Sequence, residues 1–164
     1  MYFSAKEILA QLDGTDMRIC DLVIKNETEI SEISREEIFS MLEERYQIMY
    51  NSAHDALEKE IRSLSGLTGG SAKKMWEYYK KGSSICDNTI IRGAAYALSC
   101  LEVNASMGLI VAAPTAGACG ILPGSLLTVA EKYDIPHQQY QCPTVLALRS
   151  ISCFGLHVLR YFRR

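Results

Sequence analysis

The chain has 164 residues, enough for one domain with a buried core, and its 48% hydrophobic and 22% charged residues are those of a globular protein rather than a disordered or fibrous one. A formal net charge of −2 with no basic patch in the body of the chain argues against nucleic acid as a partner. The six cysteines are widely spread with no C-x-x-C pair, which points to buried free thiols for most of them and away from a zinc site or a disulfide framework.

The N-terminus, MYFSAKEILAQLDG, turns polar too early for a signal peptide, so a cytoplasmic chain with no membrane segment is expected. Ser4 and Glu7 form a capping box that opens a short helix through Leu12, closed by Asp13-Gly14. Ile19, Leu22, Val23 and Ile30 share one face of a second predicted helix. A second capping box, Ser34 to Glu37, opens a stronger one. In it Ile38, Met41, Leu42, Met49, Ala53, Ala56, Leu57 and Ile61 recur at helical spacing, while Glu43, Glu44, Arg45, Glu58 and Lys59 take the solvated face. His54 sits at the edge of the apolar stripe and reads as structural rather than catalytic.

The segment Ser63-Leu64-Ser65-Gly66-Leu67-Thr68-Gly69-Gly70-Ser71 carries three glycines and four hydroxyls, a composition that cannot continue a helix. A helix over Ala72 to Tyr79 is expected to follow, with Ser71 as its N-cap. A glycine-rich loop feeding a helix N-terminus favours an anion, because unsatisfied N–H groups and the helix dipole both attract negative charge, and Lys73 and Lys74 add to that potential. The spacing is not that of a P-loop. An ordinary flexible connector is the alternative.

Asn88 to Met107 reads as a well-buried helix with Ile91, Ala95, Leu98 and Leu101 on one face. It runs into Asn104 to Gly124, NASMGLIVAAPTAGACGILPG, which has four glycines, two prolines and no charge. In this stretch Gly117 and Gly120 permit tight or left-handed backbone, Pro114 and Pro123 fix φ, and Asn104, Ser106 and Thr115 bring side-chain hydrogen bonding. Two readings stand side by side: a non-regular segment offering N–H groups and hydroxyls to a small polar ligand, or close helix packing through small residues. Pro123 starts a last helix that ends near Tyr133. No alternating strand is visible before residue 139, so the fold class is all-α, a helical domain in which two glycine-rich loops form a substrate site.

With both stretches in view, the chain resembles the α subunit of the iron-sulfur-dependent L-serine dehydratases, also called L-serine ammonia-lyases. The likeness rests on Ser65-Gly66-Leu67-Thr68-Gly69-Gly70 with Lys73-Lys74, and on Asn104-Ala105-Ser106-Met107-Gly108 continuing through Pro114-Thr115-Ala116-Gly117 to Gly120-Ile121-Leu122-Pro123-Gly124. It implies a lyase that acts without PLP: L-serine loses water to give aminoacrylate, which hydrolyses to pyruvate and ammonia. It also implies a 4Fe-4S cluster on three cysteines, with one iron open as Lewis acid, and a β subunit partner in an oligomer. Ser65, Gly66, Thr68, Gly69, Gly70 and Lys73 would then take the substrate carboxylate, and Asn104, Ser106, Pro114, Thr115 and Gly117 would line the pocket. The resemblance identifies no catalytic base.

Family α chains carry their cluster cysteines in a small-residue-rich region with a Gly-Gly-Cys and a Cys-Asp-Pro to Val-Pro-Cys segment, and this sequence contains neither. Cys20, Cys86, Cys100 and Cys119 match those ligands in neither position nor context, so no metal ligand is assigned and the chain is expected to be inactive alone. Residues 1–139 read as the N-terminal part of the α domain. Residues 140–164 hold four arginines and no acid, against a net −6 for the rest, and read as an unmatched basic tail, out of frame or lying at a membrane surface. Other functional readings are a non-catalytic carboxylate-binding fragment, a PLP phosphate site with a Schiff-base lysine, and a related cysteine desulfidase.

Overall fold

The computed structural model describes residues 5–82, 85–112 and 115–136. These fall into two compact units that meet in sequence between Glu43 and Glu44. The Ser4 half of the first capping box lies outside the described residues, as do Pro114 and the basic tail.

The first unit holds α1 (Ala5–Leu12), α2 (Ile19–Ser31) and the opening turns of α3 (Arg35–Glu58). The second capping box forms as expected: the Ser34 N–H donates to Glu37 Oε2 at 2.8 Å and the Glu37 N–H donates to Ser34 Oγ at 3.2 Å. Val23 and Ile24 of α2 pack with Ile38 and Leu42 of α3, with Ile33 and Phe39 laid against them. The expected face of α2 is shifted. Leu22 and Val23 of that face are buried as expected, joined by Cys20 and Ile24, whereas Ile19 and Ile30 are 44% and 43% exposed.

The second unit holds the rest of α3, α4 (Ser71–Lys81), α5 (Asn88–Ala105), a 3-10 turn (Ala116–Ala118) and α6 (Ile121–Lys132). Helix α5 is the central element, packed against α4 and α6. Its core partners are Ala53 and Leu57 of α3, Leu127 of α6 and Cys119, with Tyr46, Met75, Trp76 and Ile110 closing the edges. The residues buried on α5 are Ile91, Ala95, Tyr96, Ser99, Cys100, Glu102 and Val103, whereas Leu101 is 40% exposed. The expectation of an Ile91, Ala95, Leu98, Leu101 face thus fails at its C-terminal end, because bonded polar residues occupy the buried positions there.

Ser99 explains how a polar side chain comes to be buried in this core. Its hydroxyl donates to Ser52 O at 2.7 Å and accepts from the Ala56 N–H at 3.0 Å, so it stitches α5 into the backbone ladder of α3. Small residues make such an approach possible: Ala53, Ala56 and Ala95 are fully buried. The α5–α6 contact uses the same device. A Cβ on Gly120 would lie 2.5 Å from Ala97 O, and one on Gly124 would lie 2.8 Å from Gly93 O. Gly120 has φ −83°, so close approach and not left-handed backbone is its reason for being glycine.

The body is all-α, and the described residues contain no strand. An isolated antiparallel bridge, Arg62 with Gly69, closes the loop before α4. Among the described residues no helix is long and apolar enough to cross a membrane.

Candidate functional site

The loop from Ile61 to Gly70 is a closed turn organised by Ser63. The Ser63 N–H donates to Thr68 O at 2.9 Å, the Gly66 N–H donates to Ser63 O at 2.8 Å, and the Ser63 hydroxyl accepts from the Thr68 N–H at 3.2 Å. Ser65 Oγ lies 3.1 Å from Ser63 Oγ and accepts from the Leu67 N–H at 3.4 Å. Gly66, Gly69 and Gly70 have φ of +71°, +143° and +78°, a backbone that other residues adopt only with strain. At Gly69 a Cβ would also collide with the Ile61 carbonyl, and at Gly70 it would meet the Glu60 side chain at 3.0 Å. Gly70, not Ser71, is the N-cap of α4, since the capping position is left-handed here and Ser71 is already helical.

Two first-turn N–H groups of α4 are occupied from within the chain. Oε1 of Glu102, on α5, accepts from the Ser71 N–H at 2.6 Å and from the Ala72 N–H at 3.1 Å. Sequence reasoning expected an anion at this helix end and missed that the protein supplies one. A readable signal existed: Glu102 is the one acid in α5, and at helical spacing from Ile91, Ala95 and Ser99 it falls on the buried face. A ligand carboxylate at this loop is left to bond with donors ahead of the first turn. Lys73 is half-buried in that turn. Its charge adds to the field that holds Glu58 below the usual carboxylate range, behind the larger effects of Lys80 and the Trp76 indole.

The second stretch meets the first at the C-terminal end of α5. The Leu64 N–H donates to Ala105 O at 3.1 Å, which ties the loop to the helix end. Asn104 Nδ2 donates to Ala116 O at 3.0 Å, which ties the 3-10 turn to the same end. Ser106 Oγ donates to Val103 O at 2.8 Å, so its proton is committed and only acceptor capacity remains. Thr115 Oγ1 accepts from the Ala118 N–H at 3.2 Å and keeps its own O–H to give. Gly117 is exposed, and a Cβ there would meet nothing closer than 3.8 Å, so no steric need for glycine exists at that position. Met107 takes φ +63° as the residue after the helix, and the Gly108 N–H closes back on Val103 O at 2.8 Å, the bonding of a Schellman end.

Beside this junction lies a cleft of about 300 Å³ lined by Asn51, Asp55, Ile61, Ser106, Gly108 and Leu109 among others. Of the residues singled out from sequence, Ser106 is the one on its wall. Thr68 is exposed on the loop, and the contacts that bring the two stretches together run through backbone groups and Glu102 rather than through the hydroxyls of Ser65 or Thr68. His54 has the structural role expected of it. Its Nδ1 lies 2.8 Å from Tyr50 O, and its ring is stacked on Tyr50 at 4.1 Å.

The described thiols do not suit an iron-sulfur cluster. Burial pushes the Cys100 thiol up to about 11, against a smaller opposing effect of the Ser52 hydroxyl, and burial raises Cys119 as well. Both are enclosed in the core, where Cys100 Sγ lies 3.5 Å from Ser52 Oγ and Cys119 Sγ donates to Cys100 O at 3.8 Å. Cys86 is exposed. Among the described residues no group of three His, Cys, Asp or Glu is arranged to hold a metal ion. Cys142 and Cys153 lie outside the described residues.

The serine dehydratase alpha chain family model matches residues 14–155. The chain belongs to this family. The match runs past Gln139, where the motif resemblance by itself stops. The chain is 34% identical over 139 residues to a probable L-serine dehydratase alpha chain of Bacillus subtilis, covering 85% of this chain and 46% of that one. It is 37% identical over 141 residues to the L-serine dehydratase alpha chain of Peptoniphilus asaccharolyticus, covering 86% and 48%. The L-serine dehydratase TdcG of Escherichia coli is 30% identical over 143 residues, covering 82% and 30%. The chain therefore spans about half the length of the first two relatives and less of the third. No solved structure matches it significantly.

Proposed function

We propose that the chain supplies the substrate-holding loops of an L-serine dehydratase α chain. The observation that carries this reading is the convergence of both motif-bearing stretches on the C-terminal end of α5 in a chain of that family. In it, the loop at Ser65, Gly66, Thr68, Gly69 and Gly70, with Lys73 adding positive potential, takes the carboxylate of L-serine. Asn104, Ser106, Thr115 and Gly117 line the rest of the pocket. Of these, Thr115 offers a free hydroxyl proton and Asn104 a second amide N–H, the donors a carboxylate or hydroxyl needs.

The reaction is a β-elimination without PLP. The α-proton and the β-hydroxyl of L-serine leave as water, and the resulting aminoacrylate takes up water to give pyruvate and ammonia. A 4Fe-4S cluster, held by cysteines outside the described residues, would supply Lewis-acid chemistry at the β-hydroxyl when bound. The chain works in the cytoplasm within an oligomer that includes a β subunit. A serine-binding module without catalysis is the second reading, favoured by the enclosure of Cys100 and Cys119 within the apolar core.

Calorimetric titration of the chain with L-serine, together with a pyruvate assay on anaerobically iron-loaded protein, tests both. Saturable binding without pyruvate is the expected result. No binding sinks the assignment of the loops, and pyruvate released by the isolated chain sinks the placement of the cluster ligands elsewhere.

A further inference from the structure

Glu102 is 7% exposed, and its two oxygens are treated differently by the fold. Oε1 takes two N–H bonds from the α4 N-terminus, while Oε2 is buried with no hydrogen-bond partner. Among the described residues no lysine, arginine or histidine forms an ion pair with it. A carboxylate removed from water with one oxygen unmatched is costly, and the helix dipole compensates it from one side alone. What Oε2 lacks is a donor, preferably a positive one. The atom lies at the α4 N-terminus, next in sequence to Gly70, and on the turn of α5 that precedes Asn104 and Ser106, at the junction of the two motif-bearing stretches.

We propose that Oε2 of Glu102 receives the α-ammonium group of an amino-acid ligand held at this junction. The inference rests on the substrate reading above and adds a group to it: the loops hold the carboxylate end, and Glu102 holds the amine end. A primary ammonium brings three donors and a full positive charge, so it satisfies the free oxygen and pairs the buried charge together. A metal ion fits less well, because the described residues offer no three-ligand group around Glu102. Oε2 is closed to solvent, so a ligand pairs with it only when the junction around it opens. The same carboxylate thus caps α4 with one oxygen and selects amino acids over plain hydroxy acids with the other.

The test compares L-serine with 3-hydroxypropanoate, which is the same molecule without the amine, by calorimetric titration of the wild-type chain and of Glu102→Gln. Glutamine keeps an acceptor oxygen for the Ser71 and Ala72 N–H groups, and a cooperative melt within a few degrees of wild type verifies that the fold is kept. L-serine is expected to bind the wild type at least about tenfold more tightly than 3-hydroxypropanoate. In Glu102→Gln that preference is lost while 3-hydroxypropanoate binding stays the same. Equal affinity of the two compounds for the wild type overturns the proposal without any variant. So does an undiminished preference in Glu102→Gln, which assigns the free oxygen to water or to another polypeptide. If neither compound binds the wild type, the substrate reading itself falls and this one falls with it.

Discussion

The N–H of Ser71 and the carboxylate of Glu102, 31 residues apart in sequence, meet at 2.6 Å. Through this bond a side chain of the central helix caps the helix that follows the glycine loop. Gly70 cannot cap with a side chain of its own, so the stabilisation of α4 is borrowed from α5. Replacing Glu102 by Ala leaves two first-turn N–H groups without their acceptor, Ala72 being fully buried. Loss of a cap of this kind costs about 1–2 kcal/mol. Urea unfolding of Glu102→Ala should show that loss, with Glu102→Gln losing less than half as much. Amide exchange gives the local check: the Ser71 and Ala72 amides should exchange faster in Glu102→Ala than in wild type, and unchanged protection would sever the proposed link between α4 and α5.

Ser99 makes a second connection of the same type, to α3. Its hydroxyl serves Ser52 O and the Ala56 N–H at once, and both partners belong to buried residues. Ser99→Ala removes a donor and an acceptor and leaves no room for water to replace them, because the neighbours Ala53, Ala56 and Ala95 are fully buried. The expected loss is about 1–3 kcal/mol, larger than for an exposed serine. A chemical denaturation midpoint within error of wild type would mean that α3 and α5 are held by apolar packing alone.

These two residues also mark where the sequence stops being readable. The helices, the Ser34–Glu37 box and the two glycine-bearing stretches follow from local patterns, because caps, periodicity and helix breakers are written within a few neighbouring residues. The expected face of α5 fails at Leu101 because polarity marks Ser99 and Glu102 as surface residues although their spacing sets them beside Ile91 and Ala95, and their partners lie on α3 and α4. For Gly120 and Gly124, composition left ligand binding and helix packing both open. The approach to Ala97 and Gly93 decides for packing, a fact that depends on where α6 crosses α5. Gly66, Gly69 and Gly70 are the reverse case, with positive φ that a loop of this composition announces.

The end of α5 carries a strain that can be relieved. Met107 holds φ +63°, a conformation that costs an L-residue roughly 1 kcal/mol and costs glycine little, and its side chain is 77% exposed, so little packing is lost with it. Met107→Gly should therefore be neutral or stabilising by up to about 1 kcal/mol despite the extra freedom of the unfolded chain. Gly120→Ala should do the opposite. Its new methyl group meets Ala97 O at 2.5 Å, backbone that cannot turn aside, and about 1–3 kcal/mol of overpacking is expected. Melting temperatures of the two variants moving in the same direction would show that the helix end and the α5–α6 crossing are not as described.

Alkaline pH should weaken the second unit through Cys100. Burial raises its thiol from an ordinary 9.0 to about 11, so the folded state keeps the proton where the unfolded chain has released it. The folded protein then binds more protons than the unfolded one between about pH 9 and pH 11, and stability falls as pH rises through that window. Below pH 9 the contribution is fully present. Cys119, raised by burial in the same cluster, acts in the same direction. Tyr96 does so too, raised first by burial and then by the Glu131 carboxylate that accepts its hydroxyl proton at 2.8 Å. Urea midpoints at pH 8 and pH 10.5 should therefore drop for wild type. Cys100→Ala, which has no thiol to ionise, should start lower because of the cavity it leaves but drop less over the same interval. An equal drop in both proteins would assign the alkaline loss to the tyrosines and lysines and remove Cys100 from the account.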